Sequence, residues 1–209
     1  MIAATIAYIC GSPMVYESFV AYMLSLMHYN MLHGIDVTFS RAIHGSQAHA
    51  RNELVKKMDG DWLLFLDTDM VFEPDIFEKM HKIATENNIE VLSGIYYQRQ
   101  PPHIPVVYKI VDGQFFSWDP FQFEESLLPT DGAGAGYLLI KKTVFERIEK
   151  ELQEEPFSII SPNSEDYSFF LRLKKLGIQP YITKDVMCGH TATQIIGKDN
   201  FQISKANLP

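Results

Sequence analysis

Cysteine is scarce in this sequence, and its scarcity excludes some classes of protein. The 209 residues contain two cysteines, Cys10 and Cys188, and neither belongs to a closely spaced pair. A disulfide framework or a zinc site built from paired cysteines is therefore not expected. Free thiols are typical of a reducing compartment, so we expect a cytoplasmic protein.

Long uncharged hydrophobic runs are also absent. No stretch approaches the roughly 20 apolar residues that a membrane-spanning helix needs. The first ten residues are apolar, but they carry no basic leader and no cleavage site after a longer apolar run. We therefore predict that residues 2–10 form a strand rather than a signal peptide.

Basic residues are fewer than acidic residues. The chain has 18 basic and 26 acidic residues, which gives a formal net charge of −8. Such a molecule does not attract phosphate backbones by its overall field, so nucleic acid is not expected as a main partner. A polyanionic ligand would need a bridging cation or a few well-placed arginines.

The residues that are present predict one α/β domain over residues 1–209. The chain is 46% hydrophobic, which is enough for one sizeable core. Predicted strands alternate with predicted helices, and this order is typical of a mostly parallel sheet flanked by helices. The strands are predicted at 2–10, 35–39, 62–66, 89–97, 137–140 and 178–186, and the helices at 17–33, 47–58, 74–88, 142–154 and 165–176, with Ser46 and Ser164 as the caps of the second and the last helix.

Five apolar residues, Trp62 to Leu66, form the stretch around which the other elements are arranged. A short, unbroken apolar run of this kind predicts a strand buried on both faces. Asp67 and Asp69 follow directly. Ligands bind at the carboxyl ends of strands in open α/β sheets, so a metal or phosphate site is indicated here. An acidic turn leading into a helix is the alternative.

Residues 98–129 interrupt the alternation of strands and helices with a segment rich in proline and aromatic residues. A hairpin is predicted there, with its turn at Asp112-Gly113. Its aromatic side chains could stack on a sugar or a base, although core or cross-strand packing is the commoner use.

The glycines at 132, 134 and 136 are spaced like those of a phosphate-binding loop. They precede a predicted strand, however, whereas a dinucleotide-binding loop follows a strand and opens a helix. We expect them to allow close backbone approach to a ligand or to a neighbouring element.

Five short motifs occur in order along the chain. They are Ala50-Arg51-Asn52, Asp61 to Asp69, Gly134-Ala135-Gly136, Ser164-Glu165-Asp166 and Gly189-His190. This ordered set resembles a family 2 type glycosyltransferase with the GT-A fold, over roughly residues 2–190. The resemblance implies a Rossmann-like α/β sandwich with a mostly parallel central sheet and a small insertion rich in aromatic residues.

The resemblance also implies a metal site and a donor site. Asp69 and His190 match metal ligands, and Asp67 is predicted as a third residue of the metal site, because it matches a residue that contacts the nucleotide ribose or a metal-bound water. Mn²⁺ (or Mg²⁺) is the implied cation, because one imidazole among oxygen donors suits Mn²⁺ better than Ca²⁺. The residues expected near a nucleoside-diphosphate sugar are Ser12, Pro13, Arg51, Asp67 and Gly134. A solvated helix arginine is the alternative for Arg51.

Asp166 matches the general base of inverting members, which takes a proton from the acceptor hydroxyl. Glu165 is the next candidate. Both fall in the first turn of the predicted helix 165–176, where a carboxylate can instead do no more than complement the helix dipole.

The expected activity is metal-dependent transfer of a sugar from a nucleoside-diphosphate sugar to a glycan or another hydroxyl-bearing acceptor. Two other hypotheses remain open. A haloacid dehalogenase type phosphotransferase would use Asp67 as its nucleophile, and a non-catalytic module would bind a sugar nucleotide or glycan without turnover.

Overall fold

Two clusters of apolar side chains sandwich a central sheet, and the buried strand at 62–66 supplies residues to both. The structure is a computed structural model, and it describes residues 3–11, 15–43, 45–192 and 195–199. Trp62, Leu64 and Leu66 join one apolar cluster, and Leu63 and Phe65 join the other. All five are at most 5% exposed, which confirms the prediction of a strand buried on both faces.

Thirteen strands lie within the described residues. They are β1 (Ala3–Cys10), β2 (Asp36–Ile43), β3 (Trp62–Leu66), β4 (Met70–Val71), β5 (Val91–Ile95), β6 (Val107–Val111), β7 (Gln114–Ser117), β8 (Leu127–Pro129), β9 (Gly132–Ala133), β10 (Tyr137–Lys141), β11 (Tyr181–Met187), β12 (Gly189–Thr191) and β13 (Ile195–Ile196).

Five α-helices with assigned bounds in the described ranges cover the sheet. They are α1 (Glu17–Leu32), α2 (Gln47–Lys56), α3 (Ile76–Glu86), α4 (Lys142–Arg147) and α5 (Glu165–Lys175). Helices α1 and α3 pack in the first cluster, and α2, α4 and α5 pack in the second. The predicted helix 142–154 changes character after Arg147, because its continuation, Ile148–Leu152, is π-helical.

The central sheet has the strand order β2-β1-β3-β10-β5-β11-β8. Strands β2, β1, β3, β5 and β11 run in one direction, while β10 and β8 run antiparallel to their neighbours. The predicted α/β class with a mostly parallel sheet and flanking helices is therefore confirmed. The carboxyl ends of β1, β3, β5 and β11 share one edge of this sheet.

Two small three-stranded sheets extend the molecule. One has the order β7-β6-β9 and contains the predicted hairpin, with Asp112 and Gly113 at φ values of 50° and 78°. Positive φ at both central positions is the requirement of a tight type I′ turn. The other sheet has the order β13-β12-β4 and joins the chain after β3 to the chain after β11.

None of the helices in the described ranges is long and apolar enough to span a bilayer.

Candidate active site

Strand pairing brings the end of the acidic motif, at Asp69, next to the Gly-His motif. Strands β4 and β12 are antiparallel, with His190 opposite Met70 and Gly189 opposite Val71. The Thr191 N–H donates to the carbonyl oxygen of Asp69 over 2.7 Å. These backbone contacts hold His190 beside Asp69, although the two residues are far apart in sequence.

Asp69 and His190 are in direct contact. His190 Nε2 lies 3.1 Å from Asp69 Oδ2, and His190 Nδ1 lies 2.8 Å from the carbonyl oxygen of Tyr97. A carbonyl can only accept, so Nδ1 carries the proton and Nε2 faces the carboxylate. If the His190 ring is neutral, its Nε2 is an acceptor that faces another acceptor, Asp69 Oδ2. A cation at this point removes the conflict, and it can be either a proton on the ring or a metal ion.

Arg99 is a second cationic neighbour of the same carboxylate. Its Nη1 lies 3.2 Å from Asp69 Oδ2, and its side chain is 49% exposed. Burial alone would raise the pKa of Asp69, but His190 and Arg99 outweigh burial and hold that pKa below its usual range. Sequence reasoning missed Arg99. The available signal was its position, since it closely follows the carboxyl end of a predicted strand.

A second cluster surrounds Arg51, which projects from α2. Its Nη2 lies 3.5 Å from Asp67 Oδ1, and its Nε lies 3.4 Å from Asp166 Oδ1 and 3.8 Å from Glu165 Oε1. One cation thus faces three carboxylates. The predicted residues Arg51, Asp67, Glu165 and Asp166 are brought together by this arrangement.

Arg51 is held on every side by the protein. It is 2% exposed, donates from Nη1 to the Ala135 carbonyl oxygen over 3.2 Å, and lies over the rings of Phe65 and Phe157. Burial alone would lower the pKa of Arg51, but the adjacent carboxylates raise it above its usual value. Arg51 is therefore a fixed cation, and its predicted contact with a nucleotide stays a prediction.

Asp166 lies in the first turn of α5. The Ser164 side chain caps this helix by accepting a hydrogen bond from the Tyr167 N–H over 3.3 Å. Asp166 Oδ2 accepts a hydrogen bond from the Ala135 N–H over 3.1 Å, and 21% of the side chain is exposed. Burial raises the pKa of Asp166 to about 6, against the lowering effect of Arg51 and with a further increase from Glu165. The two acidic motifs thus contain carboxylates with opposite pKa shifts.

The glycine segment before β10 is the backbone that links these groups. A Cβ atom at Gly136 would lie 2.7 Å from Asp67 Oδ2, and one at Gly134 would lie 1.8 Å from the Tyr96 hydroxyl oxygen. The expected close approach is therefore to neighbouring elements at both positions. A role for Gly134 in binding the nucleotide stays a prediction.

Two of the three predicted metal ligands are in contact, and the third faces elsewhere. Asp69 and His190 are paired, whereas Asp67 lies against Arg51. Across the ranges that the structure describes, no three His, Cys, Asp or Glu side chains are grouped closely enough to hold a metal by themselves. Among the described residues, Asp69 and His190 are therefore the two predicted ligands placed to hold a cation together.

A cleft of about 900 Å³ opens beside this pair. Tyr96, Arg99 and His190 are among the residues that border it. Its size is in the range of pockets that bind small molecules. The predicted donor residues Ser12 and Pro13 lie outside the described residues, as does most of the chain after Ala192.

Comparisons with known proteins agree with this architecture. Residues 28–149, more than half of the chain, match the family described as Glycosyl transferase family 2. No curated protein matches the sequence. The crystal structure of A197 from STIV is similar in fold, with a TM-score of 0.61 and 21% sequence identity over 92% of this chain and 86% of that chain. At this identity the likeness concerns the fold alone, and it supports assignment to the GT-A fold.

Proposed function

The chain belongs to glycosyl transferase family 2, and from that premise we propose that it moves a sugar from a nucleoside-diphosphate sugar to an acceptor hydroxyl, with inversion and with a divalent cation. The observation that carries this proposal is the pair of differently tuned carboxylates. Asp69 has a lowered pKa beside His190, and Asp166 has a pKa raised to about 6. Carboxylates whose environments push their pKa values apart are typical of sites with separate binding and acid-base roles.

Asp69 and His190 are the residues proposed to hold the cation. Mg²⁺ and Mn²⁺ are commonly bound through few protein ligands, with substrate phosphates and waters completing the shell. This habit fits a site with one carboxylate and one imidazole, and the His190 hydrogen bond to the Tyr97 carbonyl fixes the tautomer that a metal requires. When bound, such an ion supplies positive charge to the departing diphosphate. The imidazole favours Mn²⁺ over Ca²⁺.

Asp166 is the proposed general base. With a pKa of about 6 it is mostly ionised at pH 7, yet basic enough to accept a proton. It would take the proton of the acceptor hydroxyl as that oxygen bonds to the anomeric carbon and the bond to the diphosphate oxygen breaks. Glu165 shares the Arg51 cluster and is 10% exposed, so we propose that it helps to position Arg51.

The donor contacts are proposed for Ser12, Pro13, Asp67 and Gly134, with Arg51 acting mainly through the carboxylates that it holds. The cleft beside Tyr96 and Arg99 has room for part of the donor or for a glycan or other acceptor. We take residues 1–209 as one catalytic GT-A domain. Membership of family 2 removes the basis for the phosphotransferase alternative, because it accounts for the acidic motif without an aspartyl nucleophile.

The test is turnover of a panel of nucleotide sugars with Mn²⁺ present. Release of nucleoside diphosphate from UDP-, GDP-, ADP- and dTDP-sugars should reveal at least one donor that is hydrolysed slowly without an acceptor. Asp166→Asn should bind that donor and release far less product. If some donor binds but none is turned over with any acceptor, the chain is a binding module and the catalytic proposal is wrong.

A further inference from the structure

Arg99 occupies a position that the proposed reaction does not yet explain. It lies after β5, and its guanidinium contacts the same oxygen, Asp69 Oδ2, that faces His190 Nε2. The distances are 3.2 Å and 3.1 Å, so this single oxygen has two cationic or potentially cationic neighbours. A metal ion bound by Asp69 and His190 would have to share that space with Arg99.

The backbone around Arg99 is held by hydrogen bonds, whereas its side chain is half-exposed. The Gln98 N–H donates to the Ile104 carbonyl oxygen over 3.0 Å, and the His103 ring nitrogen Nδ1 lies 3.0 Å from the Gln98 carbonyl oxygen. The Arg99 side chain is 49% exposed and borders the cleft of about 900 Å³. It can therefore turn into the cleft without a change in the loop.

Arg51 and Arg99 differ in how many partners hold each side chain. Arg51 is 2% exposed and contacts three carboxylates, a backbone carbonyl and two aromatic rings. Loss of any one partner would leave it in place. Arg99 has one carboxylate partner among the described residues, so loss of that partner would release it.

Electrostatics determines when the release occurs. A divalent ion held by Asp69 and His190 would neutralise the charge that attracts Arg99 and would repel the guanidinium. A diphosphate bound to the same ion would be the nearest large negative charge. The planar guanidinium fork matches phosphate oxygens well, since it can donate two parallel hydrogen bonds.

We propose that Arg99 exchanges between Asp69 and the diphosphate of the donor, and that this exchange makes metal and donor binding cooperative. The proposal rests on the proposed function, because it needs the cation and the diphosphate at this site. Without ligands, Arg99 pairs with Asp69 and competes with the metal. With both ligands present, it stabilises the diphosphate.

Substitution of Arg99 should change the affinity for Mn²⁺ and the affinity for a nucleoside diphosphate in opposite directions. Arg99→Gln removes the competing charge, so Mn²⁺ affinity without nucleotide should rise by about 3- to 10-fold. It also removes the phosphate contact, so nucleoside diphosphate affinity at saturating Mn²⁺ should fall by about 10-fold or more. Mn²⁺ and the nucleoside diphosphate each increase the affinity for the other by one common factor, because coupling is reciprocal. In Arg99→Gln this factor should be smaller than in wild type.

The experiment is a Mn²⁺ titration followed by the electron paramagnetic resonance signal of the free ion. It is run with and without each of UDP, GDP, ADP and dTDP, with blanks that lack protein. Arg99→Lys keeps the charge without the fork and should fall between wild type and Arg99→Gln. Lys82→Gln removes the same charge from an exposed position on α3, where the lysine is 70% exposed, and should match wild type.

The outcomes are distinguishable. Higher Mn²⁺ affinity and weaker coupling in Arg99→Gln support the proposal. If wild type binds Mn²⁺ cooperatively with a nucleoside diphosphate and Arg99→Gln does the same within twofold, the Arg99 proposal is wrong while the proposed metal site stands. If wild type binds no Mn²⁺ with any of the four nucleotides, the proposed metal site fails and the Arg99 proposal fails with it.

Discussion

Asp69 and Asp166 show how neighbours give one residue type two different protonation behaviours. Burial would raise the pKa of both carboxyls. Next to Asp69, His190 and the Arg99 guanidinium outweigh burial, whereas at Asp166 the single cation Arg51 is shared with Asp67 and Glu165. The first carboxylate is therefore suited to hold a cation, and the second to accept a proton.

Replacement of Asp166 by Asn separates chemistry from binding. The amide keeps the size of the carboxyl group but cannot take up a proton, so the transfer rate should fall by roughly two to four orders of magnitude. Donor affinity and Mn²⁺ affinity should persist. If Asp166 only complements the dipole of α5, the cost is instead about 0.3 to 1 kcal/mol of stability with near-normal turnover.

Melting temperature, donor affinity and transfer rate measured on one preparation decide between these roles. Glu165→Gln is the matched control in the same turn of α5, and it should keep most of the rate. A folded, donor-binding Asp166→Asn with near-normal turnover would remove Asp166 from the mechanism and make Glu165 the candidate.

The pH dependence of kcat/KM should report the raised pKa of Asp166. The base must be unprotonated in the free enzyme, so at saturating Mn²⁺ the value should increase with pH around a midpoint of about 6 and level off above neutrality. Activity is lost as the pH falls, because the carboxyl becomes protonated. Asp166→Asn should lose this titration from its residual activity, and a flat wild-type profile between pH 5 and 8 would contradict the assignment.

Arg51 should contribute to the stability of the fold as well as to the site. Arg51→Met leaves three carboxylates without their cation, and breaking a buried ion pair of this kind typically costs about 3 to 5 kcal/mol. Without Arg51 the pKa of Asp166 should rise further, so stability should fall as pH increases from 5 to 7. Urea unfolding at pH 5 and pH 7 checks this prediction. An equal loss of unfolding free energy at the two pH values would argue against electrostatic repulsion as the cause.

At the scale of elements, the segment before β10 connects both clusters. The Asp67 N–H donates to the Gly136 carbonyl oxygen, and Ala135 contacts Arg51 and Asp166. The absence of side chains at 134 and 136 allows Tyr96 and Asp67 to approach this backbone. The segment therefore fixes the distances between the proposed donor and acceptor sides of the site.

Gly134→Ala should disrupt this segment measurably. Its Cβ would collide with the Tyr96 hydroxyl at 1.8 Å and with Val106 Cγ1 at 2.9 Å, and overpacking typically costs about 1 to 3 kcal/mol. Gly11→Ala is the control, since Gly11 is exposed and its Cβ would meet no atom within 4 Å in the described part of the chain, and it should change stability by less than about 0.5 kcal/mol. Chemical denaturation of both variants gives the comparison, and equal stability would refute the packing argument.

The long elements could be predicted from the sequence, and the short ones could not. The uninterrupted apolar run of β3 and the capping residues Ser46 and Ser164 are local signals, and both helix starts are as predicted. The pairing of β4 with β12 joins strands of two and three residues, too short to leave a periodic pattern. The contact between Arg99 and Asp69 joins distant segments, so the sequence shows the position of Arg99 after a predicted strand but not its partner.

For helix α1, the sequence predicts the helix but not which of its faces is buried. Its apolar residues predicted the helix correctly, but they lie on all of its sides. Phe19, Met23 and Leu26 are buried, whereas Leu24 and Met27 are 59% and 44% exposed. Periodicity identifies a buried face only where polar residues mark the opposite face.

At the scale of the whole molecule, the net charge of −8 determines how a diphosphate can be held. The described site offers one fixed arginine, already shared among three carboxylates, and one movable arginine. Neither is free to neutralise a diphosphate by itself in this arrangement. We therefore expect a diphosphate to be held through the proposed metal ion at Asp69 and His190.

Calorimetric titration of a nucleoside diphosphate with and without Mn²⁺ tests this requirement most directly. Wild type should bind at least about 10-fold more tightly with Mn²⁺, a difference of about 1.4 kcal/mol. Asp69→Asn should lose the enhancement, and His190→Ala should reduce it less, because water can replace one ligand of a labile octahedral ion. Equal wild-type affinity with Mn²⁺ and with chelator would contradict the metal-bridged site on which the account depends.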